Sequence, residues 1–190
     1  MNQDPTRAEK YNEFLFAYLI EDRLSYNPSD KVSWQKIPLH LPLSPWLKTE
    51  ETTETILDIA ATKLSNLSPV TTMTTLEDNF GVNGQFRAMR IKKTPELLNL
   101  HSCLLELAKT VKADYNPQYA GQHNWDPHVA NKGYRRLNSF QDLEIQRVDL
   151  VQRLSYKQKA LVGRIALTGY DCRQALTCLP KQHEDTETIG

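Results

Sequence analysis

Ile37-Pro38-Leu39-His40-Leu41-Pro42-Leu43 and Asp126-Pro127-His128-Val129-Ala130-Asn131 are the two stretches on which the reading of this chain turns. Each is a strand-like run with one histidine at its centre. Alternate residues of an extended strand share a face. His40, Pro42 and Ser44 are therefore expected to point one way, while Leu39, Leu41 and Leu43 point into a core. The same count groups His128, Ala130 and Lys132. The two runs lie in opposite halves of the chain, so a fold that joins the halves sets two imidazoles facing one another. Two imidazoles that titrate near neutrality can divide an acid and a base role between them.

Composition bounds what such a pair can serve. The chain has 190 residues, 39% of them hydrophobic, enough for one large domain or two small lobes sharing a core. Its 23 Lys and Arg balance 23 Asp and Glu, which excludes a strongly basic nucleic-acid coat and leaves any phosphate site as a local patch. Three scattered cysteines and no cationic, apolar leader fit a reducing compartment, and a cytoplasmic location is expected. No apolar run approaches the length of a membrane span.

Outward from the histidine runs, Phe14 to Ile20 is continuously apolar and reads as a buried strand, after a polar segment through Lys10. Turn chemistry at Ser25 to Asp30 predicts a loop, and Ser44-Pro45 should end the His40 strand. Thr49 to Leu67 reads as a helix, with Glu50 and Glu51 at its positive end and Ile56, Ile59, Ala60 and Leu64 on one stripe. Val70 to Leu76 and Gln85 to Lys92 read as a hairpin closed through Gly81 and Gly84. Thr94-Pro95-Glu96 opens the clearest helix, running to about Lys112 with Leu97, Leu100, Leu104, Leu107, Ala108 and Val111 inward. A long connection, Asp114 to Asp126, carries Tyr115, Tyr119, His123 and Trp125. Leu143 to Leu154 and Ala160 to Thr168 read as two last strands joined through Ser155 to Gln158. Strands and two helices interleave as a crude duplication of strand pair plus helix.

With these elements in place, the chain resembles the two-histidine (2H) phosphoesterase superfamily, and within it the RNA 2',3'-cyclic phosphodiesterases also called 2'-5' RNA ligases. The resemblance spans Phe14 to Thr168 and rests on the aromatic first strand, Leu39-His40-Leu41-Pro42-Leu43, the two helices and Pro127-His128-Val129. It implies an α+β, bilobal fold: two antiparallel sheets, each with an outer helix, around a central cleft. Residues 1–170 would form that unit and 171–190 a C-terminal appendage and mobile tail. It also implies that His40 and His128 are the catalytic pair of a metal-independent phosphodiesterase. RNA or a nucleotide would be the cleft ligand, with no cofactor and a monomeric protein.

The family's motif is His-x-Thr or His-x-Ser, and both hydroxyls are missing here, replaced by Pro42 and Ala130. That hydroxyl binds phosphate oxygens, and losing one such donor costs about 3 kcal/mol in other enzymes. Ser44 and Lys132, four residues after their histidines, are candidate substitutes, followed by Tyr134, Arg135 and Arg136. Trp125 and Tyr119 are candidates for stacking on a base, and Trp125 could equally plug the lobe junction. Two readings follow: an active enzyme, or a catalytically degenerate RNA- or nucleotide-binding protein on the same scaffold. His40 and His128 could also be structural histidines of an antiparallel sheet. His101 is expected as a satisfied histidine at the core edge. His123, Asp126 and His128 lack zinc-site spacing, and Cys172, Cys178 and His183 form a looser set still, so no metal is expected.

Overall fold

The computed structural model describes residues 11–20, 31–33, 38–119 and 124–169. The N-terminal polar segment, the Ser25 to Asp30 turn, His123, Cys172, Cys178, His183 and the whole 171–190 appendage lie outside the described residues.

β1 (Asn12–Leu19) is central to the first sheet because both its faces are apolar. Phe14 and Phe16 enter the main core, while Leu15, Ala17 and Leu19 pack with Val151 and Leu161 on the other side. A strand buried on both faces shows no alternation, which is why this run is continuously hydrophobic. The sheet runs β2 (Lys31–Ser33), β10 (Gln158–Ala166), β9 (Arg147–Arg153), β1, β3 (His40–Pro42). β4 (Leu47–Thr49) pairs with β1 on the same edge as β3. The second sheet runs β7 (His128–Ala130), β6 (Phe86–Ile91), β5 (Val70–Phe80), β8 (Asp142–Ile145). Every pairing among the described strands is antiparallel.

Among the described residues, one α-helix serves each sheet. In α1 (Thr53–Leu64), Ile56, Ala60 and Leu64 recur every fourth residue and pack toward β10. In α2 (Pro95–Thr110), Thr94 caps by accepting from the Leu97 N–H and Pro95 takes the first turn, where its missing donor is not needed. Leu97, Leu100, Leu104 and Leu107 are fully buried, each worth about 2 kcal/mol of transfer from water. α2 packs on β5 and α1. The fold is α+β and bilobal, as the resemblance implied.

Three local expectations change. α1 begins at Thr53, not Thr49, because Thr49 is committed to the β4 ladder opposite Asn12 and Thr52 supplies the cap. β4 and β2 were not foreseen; three residues are too few to show a period. The single strand expected over Leu143 to Leu154 is two strands in different sheets. Ile145 pairs with Val70 in the second sheet, Arg147 with Ala166 in the first, and Gln146 is the crossover. The apolar spacing breaks at that point: Leu143 and Ile145 are two apart, Ile145 and Val148 three.

Candidate active site

β3 and β7 are edge strands of their sheets and lie against each other, and each opens with its histidine. His40 pairs with Leu19 of β1, and His128 with Arg90 of β6. The local geometry is the same twice over. His40 Nδ1 donates to the Pro38 carbonyl at 3.0 Å and His128 Nδ1 to the Asp126 carbonyl at 2.8 Å, in each case two residues back. A carbonyl oxygen only accepts, so both Nδ1 atoms carry the proton and Nε2 is the acceptor of each neutral ring. Both histidines line one cavity of about 480 Å³.

Their surroundings then diverge. Burial, the Lys132 ammonium and, less strongly, His128 hold His40 down to about 4, against the raising effect of the Pro38 hydrogen bond. His40 is neutral at pH 7 and only 8% exposed. His128 is half-buried beneath an aromatic ring: Phe80 stacks on it with centroids 4.2 Å apart and planes at 25°. Phe86, opposite Phe80 in the hairpin, lies 5.9 Å from the imidazole and lines the cavity. The Arg90 guanidinium sits over the Phe80 ring and pairs with Asp126 and Asp78, both at 2.9 Å. The segment carrying the His128 acceptor carbonyl is thereby tied down.

Of the residues singled out in the sequence, Pro42, Ser44, Tyr119, Ala130 and Lys132 line the cavity beside the two histidines. Lys132 Nζ reaches across to the Pro38 carbonyl at 3.4 Å. The Ser44 hydroxyl is committed to backbone, accepting from the Phe16 N–H and donating to the Pro45 carbonyl. Tyr134 and Arg136 do not line the cavity. Lys132 and Arg135 close a tight turn through paired backbone bonds, with Gly133 at φ 62°, which leaves Tyr134 at the tip, 95% exposed. Arg136 is exposed after the turn. Trp125 sits in the main core and is not among the residues lining the cavity. His101 is fully buried rather than at the core edge.

Sequence reasoning gave no site role to Trp46, Phe80, Phe86 or Asn131. Phe80 and Phe86 flank the glycine turn at Gly81, and a bulky aromatic on each side of a hairpin tip was the available signal. Asn131 lines the cavity and donates its amide to Glu77, itself paired with Arg87. Among the described residues, no group of three or more His, Cys, Asp or Glu side chains is placed to hold a metal ion. None of the described helices is long and apolar enough to cross a membrane.

No known protein family matches this sequence, and no curated protein does. Solved structures do. A phosphoesterase crystal structure superposes with a TM-score of 0.52 at 14% identity, covering 83% of this chain and 98% of that one. E. coli LigT complexed with 3'-AMP gives 0.53 at 13% identity, over 83% of this chain and 99% of that one. LigT complexed with NADP+ gives 0.52 at 14% identity, over 84% and 99%. At these identities the likeness is one of fold, and it takes in both lobes.

Proposed function

We propose that this protein is a metal-independent phosphodiesterase that opens the 2',3'-cyclic phosphate, or a related cyclic or 2'-5' linkage, of RNA or a nucleotide. The observation that carries the reading is the repeated histidine: two edge strands, each opening on an imidazole whose Nδ1–H is held by the carbonyl two residues back, both lining one cavity. Structural histidines of a sheet have no reason to repeat that arrangement in two lobes and share a cavity.

The neutral His40 ring suits the base. Its Nε2 takes a proton from water as the water oxygen bonds to phosphorus, and the bond from phosphorus to one ribose oxygen breaks. His128 acts in its imidazolium form, with Nδ1–H still held by the Asp126 carbonyl, and gives the second proton, on Nε2, to that departing oxygen, so the products are a phosphomonoester and a ribose hydroxyl. A base held at about 4 is weak; a phosphate anion bound beside the ring would favour its charged form and raise it. Lys132, on the wall of the same cavity, offsets the phosphate charge in place of the missing hydroxyls. The nucleotides in the LigT complexes support a nucleotide-sized ligand.

One observation favours a second reading, a nucleotide- or RNA-binding protein without turnover: Pro42 and Ala130 line the cavity where the phosphate-binding hydroxyls are expected. Turnover of an oligonucleotide ending in a 2',3'-cyclic phosphate, in excess chelator, separates the two. The unmodified protein is expected to open the ring, and His40→Ala and His128→Ala to lose this activity. Unchanged turnover in His40→Ala would sink the assignment; binding without cleavage by the unmodified protein would leave the second reading.

A further inference from the structure

His101 takes no part in the chemistry above, yet it is fully buried on the inner face of α2. Its Nδ1–H donates to the Leu43 carbonyl at 2.7 Å. Leu43 follows His40 by three residues, on the stretch leaving β3. The face of the same ring lies on the Trp125 indole, with centroids 4.0 Å apart and planes within 4°. Trp125 precedes His128 by three residues, on the stretch leading into β7. One imidazole therefore grips both chain segments that carry the histidine pair.

A plain core position would not spend a histidine here. Among the described residues the buried His101 Nε2 has no hydrogen-bond partner, an arrangement that costs free energy relative to an apolar side chain. Burial keeps the ring neutral, so it has one N–H to give, and that N–H goes to Leu43. A leucine or phenylalanine would fill the space but hold no carbonyl; an asparagine would hold the carbonyl but offer no ring face to Trp125.

We propose that His101 is a positioning residue that sets the separation of His40 and His128 by tying Leu43 and Trp125 to one point on α2. The inference rests on the reading of the histidine pair as the reacting site, and its test does not require turnover. In the unmodified protein, imidazole nitrogen NMR is expected to show His101 as the Nδ1–H tautomer coupled to the Leu43 carbonyl; an Nε2–H tautomer overturns the proposal without any variant. His101→Phe keeps the stack and removes the donor. It is expected to raise the His40 titration by about one pH unit, a tenfold change in proton affinity, as β3 loosens and water reaches the ring. His101→Asn restores a donor near Nδ1 and is expected to recover most of that shift. A folded His101→Phe in which His40 titrates as in the unmodified protein overturns the proposal. Should the cyclic phosphate never be opened while these shifts occur, the positioning role stands and the proposed activity falls.

Discussion

His40 and Lys132 share one acceptor: the Pro38 carbonyl takes the imidazole N–H at 3.0 Å and the lysine ammonium at 3.4 Å. The two donors come from strands of different sheets, so the Pro38 carbonyl ties the two sides of the cavity together.

Removing the ammonium tests that contact. Lys132→Met is expected to raise the His40 titration above about 4, because the lysine's field is one cause of the depression. It should remain below an ordinary histidine, because burial is the larger cause and is untouched. Proton NMR of the His40 ring reads this directly. Inorganic phosphate should bind the variant roughly tenfold more weakly, the loss of one charge-assisted contact.

Stability should fall in acid through His40. The unfolded ring binds protons with an ordinary affinity near 6.5 and the folded ring only near 4, so the stabilising effect is complete above pH 6.5 and is lost as pH falls toward 4. The full loss is about 3 kcal/mol. His101, also held down by burial, acts with the same sign, and Asp149, raised by burial, with the opposite one. The comparison that isolates His40 is urea unfolding of the unmodified protein and His40→Gln at pH 7 and pH 4.5. The difference between them should shrink in acid; a difference independent of pH would show that His40 titrates normally.

Restoring the hydroxyls separates the two functional readings. Ala130 lines the cavity and is half-buried, and Pro42 holds the matching place on β3. On the proposal that Lys132 offsets the phosphate charge, Ala130→Thr with Pro42→Thr should raise kcat by no more than about tenfold. Turnover that appears only in the double variant would mark the natural protein as a binding scaffold.

Packing of α1 on the first sheet hinges on Gly163, at the register shift of β10. A Cβ there would stand 2.1 Å from Leu57 Cδ2. Gly163→Ala should therefore lower unfolding free energy by about 1–3 kcal/mol, and Leu57→Ala should recover part of it in the double variant. The ring signals of His40 and His128, remote from this contact, should be unmoved; a variant as stable as the natural chain would mean that α1 shifts freely over the sheet.

The sequence by itself determined what short-range spacing controls. Period two placed His40 and His128 over buried neighbours, the cap at Thr94-Pro95 and the leucine spacing set α2, and unbroken apolar character marked β1 as buried on both faces. Only the tertiary structure decided the rest, because each remaining feature depends on residues distant in the chain. Gln146 crosses between sheets because its neighbours pair with Val70 on one side and Ala166 on the other. Trp125 enters the core because His101 offers it a ring face, and Phe80 covers His128 because the β5–β6 hairpin folds back beside β7. His40 is neutral because burial and a lysine 92 residues later in the chain act on it together. Local periodicity can say which way a side chain faces; the field and the neighbours it meets there are sums over the whole fold.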